Sequence, residues 1–198
     1  MSRPRGNHRA RRDDIALGAA AVISERGLEQ ITLRDIAASL GVTTGVITHY
    51  FPSKQALLRH TKNLAFDRSF ARARAAAEGP PGIARVYAVV EAVLPLDQER
   101  RTLWRLLVAF FGSAVGSAAL RRAQEQRMGR WYDLFTQVVA ALHATGELSP
   151  SADPARVGKA IALFVEGLAI HVVMTAPGTS AEWQREFACE NVRRLVAG

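Results

Sequence analysis

The segment of residues 32–54, TLRDIAASLGVTTGVITHYFPSK, constrains the fold of this chain more than any other stretch. Thr32, with Asp35 three positions later, predicts the capped start of a short helix. Gly41 predicts the end of that helix, because glycine readily adopts the left-handed conformation that terminates helices. Between these two ends lie apolar residues spaced as one stripe of a helix: Leu33, Ile36, Ala37 and Leu40.

A second short helix is predicted directly after Gly41. Val42 and Ile47 supply the apolar contacts that dock it across the first helix, and the small Ala37 lets the two backbones approach closely. Two crossed helices joined in this way are typical of the helix-turn-helix motif, whose second helix enters the major groove of DNA. The alternative is a simple corner between two helices of an ordinary helical protein. Such a corner does not explain why the capping residues, the turn and the polar surface all fit a helix-turn-helix.

The outward surface of the second helix is predicted to be small and polar, because Val42, Ile47 and Phe51 face inward. Hydroxyl groups there would bond phosphates or base edges, and methyl groups would contact thymine methyls. Lys54 starts the following helix with Ser53 as its N-cap, where its ammonium group and nearby N–H groups would hold a phosphate. The predicted DNA-binding residues are Arg34, Thr43, Thr44, Gly45, Val46, Thr48, His49, Tyr50 and Lys54.

Residues 13–58 resemble the DNA-binding domain of the TetR family of transcriptional regulators. The resemblance rests on the segments ERGLEQITLRDIA and GVTTGVITHYFPSKQALL and on the apolar positions of a first helix, Ile15, Ala19, Val22 and Ile23. Many members have a tyrosine where this chain has Thr48. That tyrosine usually contacts a phosphate, so the resemblance does not carry this contact over to Thr48. The run TGVITHYF is similar instead to the branch that contains choline-responsive repressors of the betaine pathway. Weaker similarity continues in LWRLLVAFFGSAVGSAALRRAQEQRMGRW and in ALFVEGLAIHVVM.

The resemblance implies an all-α fold, and helical periodicity along the rest of the chain predicts about nine helices. We expect a flexible basic arm at residues 1–12, a three-helix helix-turn-helix domain at 13–58, and an effector-binding and dimerisation domain at 59–198. With 198 residues and 48% hydrophobic content, the chain is long enough to bury a sizeable core.

Positive charge is densest near the N-terminus. The formal net charge is +8, and residues 1–60 hold nine Lys or Arg against five Asp or Glu, which suits a polyanionic partner. The first twelve residues, MSRPRGNHRARR, contain five arginines and no acid, and Pro4 and Gly6 argue against regular structure. Such an arm would enter a minor groove or lie along phosphates, and a disordered solubilising tail is the alternative. An export signal on the paired arginines is excluded by the acids that follow, so we expect a cytoplasmic protein.

The last two helices, predicted at about residues 154–176 and 180–196, form the expected homodimer interface. Their apolar positions lie on more faces than one partner covers, and they include Trp183, Phe187, Val192 and Leu195. The resemblance implies a four-helix bundle about a two-fold axis, with two recognition helices about 34 Å apart on one face of a palindromic operator. Completion of the monomer's own core is the alternative.

The resemblance also implies a small-molecule effector cavity between about residues 60 and 175. Aromatic rings with one carboxylate would suit a cation such as choline. Each aromatic residue at helical spacing is also an ordinary core residue, and a buried core role is the alternative for His171. The expected lining residues are Phe66, Phe70, Trp104, Phe111, Trp131, Phe135, Glu166 and His171.

The sequence contains no motif that indicates an enzyme. It contains no phosphate-binding glycine loop, no H-E-x-x-H and no cluster of metal ligands, so we expect no catalytic residues, cofactor or metal. Cys189 is the only cysteine, which rules out an internal disulfide. The apolar stretch AIALFVEGLAIHVVMTA is interrupted by Glu166 and His171 and is too short to span a bilayer comfortably.

The sequence therefore predicts a ligand-responsive DNA-binding transcriptional regulator. Repression is the more common mode of regulation in the family that the chain resembles. Two alternatives stay open at this point: an architectural DNA-binding protein without effector, and a helical small-molecule-binding protein or enzyme with an incidental helix-turn-helix.

Overall fold

The computed structural model describes residues 5–28, 31–175 and 178–198, and every regular element in these ranges is a helix. Nine of these helices have seven residues or more, and a tenth is a single turn. In chain order they are α1 (Arg5–Arg26), α2 (Leu33–Ser39), α3 (Thr44–Tyr50), α4 (Lys54–Ala76), α5 (Ile83–Val93), α6 (Gln98–Val115), α7 (Ala118–Ala140), α8 (Leu142–Thr145), α9 (Pro154–Met174) and α10 (Ala181–Ala197). The predicted all-α fold is confirmed.

The predicted helix-turn-helix is formed by α2 and α3, and each helix begins at a capped residue. The N–H of Asp35 donates to Thr32 Oγ1 over 3.2 Å, and the N–H of Thr32 donates to Asp35 Oδ2 over 2.8 Å. This capping box satisfies two donors that the first turn of a helix otherwise leaves free. Gly41, after α2, has a φ of 63°, the left-handed conformation expected for it. Thr43 Oγ1 caps α3 by accepting the N–H of Val46 over 3.4 Å.

The first helix starts earlier than the sequence predicts. Residues 5–12 are the first turns of α1, so the predicted irregular arm is wrong for these residues, while residues 1–4 lie outside the described part of the chain. Alanine and arginine are good helix formers, and Gly6 lies at the end of the helix rather than in its middle. Packing adds to this preference: the ring of His8 lies 4.7 Å from that of Tyr50 on α3.

Buried apolar side chains form two clusters. The N-terminal cluster joins α1, α2 and α3 to the first half of α4 and to one face of α6, with Leu57 and Leu106 fully buried. The C-terminal cluster joins α5, α7, α9 and α10 to the last part of α4 and to the other face of α6. Both α4 and α6 therefore contribute to both clusters, and each gains its stability from burial on two sides.

In the C-terminal half, α7 and α9 pack closely at Gly158. A Cβ atom there would lie 2.7 Å from the main-chain nitrogen of Thr136 and 2.9 Å from the main-chain carbon of Phe135. The helix α9 ends at Met174, while residue 176, its predicted end, lies outside the described residues. By length and composition alone, α9 could cross a membrane, but seven of its residues are buried in the fold. Burial in the fold accounts for the apolar residues on its inner side.

Candidate DNA-binding surface and effector cavity

The predicted recognition surface of α3 faces away from the core. Ile47 and Phe51 lie beneath it and are fully buried. The Thr48 hydroxyl donates to the main-chain oxygen of Gly45 over 3.2 Å, whereas within the described chain the Thr44 hydroxyl makes no hydrogen bond and is available to DNA. Val46 and Tyr50 are half-buried, and the exposed residues are Thr43, Thr44, Gly45, Thr48 and His49.

An aromatic contact holds the start of α1 against the end of α3. The ring of His8 lies 6.1 Å from that of His49 and 4.7 Å from that of Tyr50. One turn later, the guanidinium of Arg12 lies 5.0 Å above the ring of Phe51, a cation–π distance. The basic first turns of α1 therefore flank the recognition helix. His8 is not among the residues predicted to contact DNA, because the sequence of residues 1–12 predicts a flexible arm rather than a helix that packs on α3.

Lys54 and Arg34 were both predicted to contact DNA. Lys54 is half-buried at the start of α4, and its ammonium group donates to the main-chain oxygen of Leu28 over 3.1 Å. The side chain thus also fixes the chain between α1 and α2. Arg34 is exposed in the first turn of α2. Ser53 caps α4 as predicted, since its Oγ accepts the N–H of Ala56 over 3.1 Å.

A cavity lies between α4, α6, α7 and α9, with about 660 Å³ of space free of atoms, part of it open to solvent. Most of its wall is aromatic or aliphatic, which is usual for a small-molecule site. The ring of Trp131 lies edge-on to that of Phe66, with 6.0 Å between the ring centres. Six of the eight predicted lining residues meet here: Phe66, Trp104, Phe111, Trp131, Phe135 and Glu166.

The other two predicted lining residues lie elsewhere. Phe70 is on α4 behind the cavity wall, where its ring lies 5.1 Å from Trp131 and 4.2 Å below the guanidinium of Arg130. His171 is exposed on α9, beside the ring of Phe187 in a shallow groove. It is neither a buried core histidine nor part of the cavity, because the side of α9 that carries it faces away from α7.

Four polar residues outside the predicted set also line the cavity: Lys62, Ser69, Gln124 and Arg127. Burial lowers the pKa of the Lys62 ammonium, and the nearby positive charge of Arg127 lowers it further. Burial likewise lowers the pKa of Arg127 and raises the pKa of Glu166, an acid in the wall. Each cation lies four residues before a predicted aromatic lining residue, but helical spacing alone does not distinguish a charged residue that faces a cavity from one that faces solvent.

Two helices join this cavity to the DNA-binding domain. On α4, Ala65 is buried in the N-terminal cluster while its neighbour Phe66 lines the cavity. On α6, Leu103 belongs to the N-terminal cluster while Trp104 lines the cavity. The indole N–H of Trp104 also donates to the main-chain oxygen of Val93 over 2.8 Å, which fixes the ring at the cavity wall.

An apolar groove lies on the outer side of α9 and α10. Leu163 is 49% exposed, Phe187 37% and Met174 70%, which is unusual for large apolar side chains. The rings of Trp183 and Phe187 stack with their centres 5.0 Å apart, and Phe164 lies 6.0 Å from Phe187. The aromatic side chains of this groove thus pack on one another within a single chain.

Sequence profiles of two families match the chain. Residues 15–61 match the bacterial regulatory proteins of the tetR family, and residues 82–197, more than half of the chain, match the C-terminal domain of BetI-type transcriptional repressors. The chain belongs to the TetR family. It is a ligand-responsive DNA-binding transcriptional regulator of the BetI-type repressor branch and not an enzyme.

Other TetR-family proteins resemble the chain over most of its length. It is 28% identical over 189 residues to the HTH-type transcriptional regulator BetI 2 of Chromohalobacter salexigens, which covers 94% of this chain and 88% of the relative. It is 30% identical over 169 residues to the regulator BetI of Burkholderia thailandensis, with 82% of each chain covered.

Two solved structures have the same fold as this TetR-family chain. A putative transcriptional regulator from Saccharomonospora viridis in complex with choline has a TM-score of 0.76 at 24% identity, covering 92% of this chain and 95% of the other. A TetR regulator from Haloarcula marismortui has a TM-score of 0.78 at 18% identity, covering 94% and 96%. At these identities the likeness shows the fold alone.

Proposed function

We propose that this regulator binds a palindromic operator as a homodimer through α3, and that a small molecule in the cavity releases it from DNA. The observation that carries the proposal is the two-sided packing of α4 and α6, each with one face in the core of the DNA-binding domain and the other in the cavity wall. Operator binding would take place in the cytoplasm, where the bacterial chromosome lies.

Release would occur by a shift between two domain arrangements. A ligand that displaces Phe66 moves α4, and α4 carries Leu57 and Ala65, which pack against the helix-turn-helix. A ligand that displaces Trp104 acts in the same way through Leu103 of α6. Ligand binding favours release only to the extent that the ligand binds the released arrangement more tightly than the DNA-binding one.

The homodimer would form through α9 and α10. Their groove exposes Leu163 and Phe187, and Met174 is exposed at the end of α9. A symmetric second copy is the partner that would bury the same surface on both chains. A two-fold axis there would place two copies of α3 about one helical turn of DNA apart. His171, exposed in the same groove, would then lie at the interface and not in the effector site.

Base recognition would come from the exposed side chains of α3, chiefly Thr44 and His49. Phosphate contacts would come from Lys54 and Arg34, and from the arginines in the first turns of α1. Phosphate contacts add affinity without sequence preference, whereas base contacts discriminate between sites.

The DNA proposal is tested by selecting duplexes from a random pool with the full chain and measuring affinities by fluorescence anisotropy. We expect a palindrome with half-sites about one helical turn apart. Thr44→Val and His49→Ala should reduce the preference for this palindrome over random duplex, whereas Lys54→Ala should weaken binding to both alike. Equal effects of all three substitutions on palindrome and random duplex would contradict base recognition by α3.

The release proposal is tested on the selected operator with Trp131→Phe and Trp131→Ala. We expect both variants to bind DNA as the parent does and to need a different ligand concentration for release, with the larger change in the alanine variant. Choline, which the Saccharomonospora viridis structure contains, is one compound to screen. Equal loss of DNA binding and ligand response in both variants would indicate damage to the core instead.

A further inference from the structure

We infer that the effector is an organic anion with an apolar body, whose acid group binds between Lys62 and Arg127. The inference rests on the proposed role of the cavity as the effector site and specifies the chemistry of that site. Taken by themselves, the aromatic residues and Glu166 would suggest a cationic effector instead.

The charges of the wall favour an anion. Lys62 extends from α4 and Arg127 from α7, and both line the same cavity. Among the described residues of its wall, Glu166 is the one acid. The two cations are close enough for the charge of Arg127 to lower the pKa of Lys62. An anion bound between them removes this repulsion, whereas a cationic ligand adds a third positive charge.

Both cations keep hydrogen-bond donors without a partner among the described residues. Nη2 of Arg127 donates to Asn63 Oδ1, but Nη1 is buried without a hydrogen-bond partner. The ammonium of Lys62 lies 5.3 Å from the centre of the Phe110 ring and, within the described chain, makes no ion pair. A buried donor without a partner costs free energy, which a ligand oxygen would recover.

Among the described residues, no acid forms an ion pair with either cation. The charge of Asp67 raises the pKa of Arg127, but Asp67 forms its ion pair with Arg130, 3.7 Å away. Burial raises the pKa of Glu166, which makes its charged form less favourable than that of an exposed carboxylate. Glu166 therefore opposes an acidic ligand less than an exposed carboxylate would.

The rest of the wall specifies the body of the ligand. Phe66, Trp104, Trp131 and Phe135 present rings to the cavity, so a ligand with an aromatic ring or a branched alkyl group gains from burial there. A small hydrophilic anion would meet the two cations but leave this apolar surface in water. The matching class is therefore a hydrophobic carboxylate.

The test compares three probes that share one ring and differ in charge: phenylacetate, phenylacetamide and benzyltrimethylammonium. Binding to the full chain is measured by calorimetry and by tryptophan fluorescence. Trp183→Phe serves as the background for fluorescence, because it leaves Trp104 and Trp131 of the cavity as the remaining tryptophans of the three. We expect phenylacetate to bind roughly tenfold or more tightly than phenylacetamide, and benzyltrimethylammonium to bind most weakly.

Variants locate the acid group. Lys62→Met and Arg127→Gln should each weaken phenylacetate roughly tenfold or more and leave phenylacetamide nearly unchanged, since only the anion uses the charges. Glu166→Gln should leave phenylacetate binding equal or tighter. Thermal unfolding of each variant checks that it folds. If Arg127→Gln does not fold, Arg127→Met is measured in its place, because it removes the charge and keeps an unbranched apolar side chain.

Binding of benzyltrimethylammonium or choline as tight as that of phenylacetate, or no binding of phenylacetate at millimolar concentration, would overturn the inference. Either result leaves release by another ligand intact. If phenylacetate binds with the expected charge preference but leaves operator binding unchanged, the site chemistry is supported and the proposed release is not. DNA binding without ligand is measured separately. Failure of the inferred ligand chemistry can therefore be distinguished from failure of the proposed function.

Discussion

His60 of α4 lies 2.7 Å from Asp13 of α1, measured between Nε2 and Oδ1. Both side chains are 26% exposed, and the His60 ring also packs against Phe51, with 5.4 Å between ring centres. The contact joins the first helix of the DNA-binding domain to the helix that lines the cavity. It is therefore one of the few polar links through which α4 holds the DNA-binding domain.

Asp13→Ala removes this link and should lower the free energy of unfolding by about 1 kcal/mol, the usual value for a partly buried hydrogen bond. Urea unfolding followed by circular dichroism measures the change. Asp14→Ala is the matched control, because Asp14 is exposed and should shift stability by less than about 0.5 kcal/mol. Equal losses in the two variants would show that the Asp13–His60 contact contributes nothing specific.

The helix-turn-helix could be predicted in detail because its signals are local. Thr32 and Asp35 satisfy each other's backbone and side-chain groups within one turn, and Gly41 adopts the left-handed conformation that its position requires. These choices depend on neighbours in sequence and not on distant contacts. Ser53 at the start of α4 belongs to the same class of signal.

The start of α1 could not be predicted in this way. Pro4 and Gly6 are local signals against a helix, but the packing of His8 on Tyr50 joins residues far apart in sequence and favours it. The positions of Lys62 and Arg127 in the cavity wall could not be predicted for the same reason. Charged residues on amphipathic helices usually face solvent, and only the arrangement of α4 against α7 turns these two inward.

Gly158→Ala should destabilise the C-terminal domain. The new methyl group would meet the main chain of α7 at Phe135 and Thr136, which cannot rotate away as a side chain can. We expect a loss of about 1–3 kcal/mol in the free energy of unfolding, as for other overpacked cores. Gly129→Ala on α7 is the control: a methyl group there meets nothing within 4 Å, so stability should be unchanged or rise by up to about 1 kcal/mol.

The buried carboxyl of Glu166 should make stability depend on pH. Its pKa is raised in the folded state above the ordinary value of 4.5, so the folded protein binds more protons and loses stability as pH rises through that higher pKa. Glu166→Gln removes this loss. We expect the stability of the variant relative to the parent to increase from pH 4 to pH 8 in urea unfolding. A difference that stays constant with pH would show that Glu166 titrates normally.

DNA binding should weaken steeply with salt. If the dimer neutralises about six phosphates, affinity for the operator falls on the order of a thousandfold between about 50 and 200 mM salt. Arg11→Ala should make the logarithmic salt slope shallower by about two, because each subunit would lose one phosphate contact. Arg156→Ala, which removes an exposed arginine of α9, is the control and should leave the slope unchanged. The same slope for both variants would contradict DNA contact by the first turns of α1.

Phe187→Glu should separate the dimer without unfolding the subunit. Phe187 is 37% exposed at the centre of the α9–α10 groove, so a carboxylate there stays hydrated in the monomer but would be buried at the interface. We expect light scattering to give half the parent's mass, and operator affinity to fall towards that of one half-site. Gln98→Glu, on the exposed first turn of α6, adds the same charge elsewhere and should leave the dimer intact. A Phe187→Glu variant that stays dimeric would show that the subunits associate through another surface.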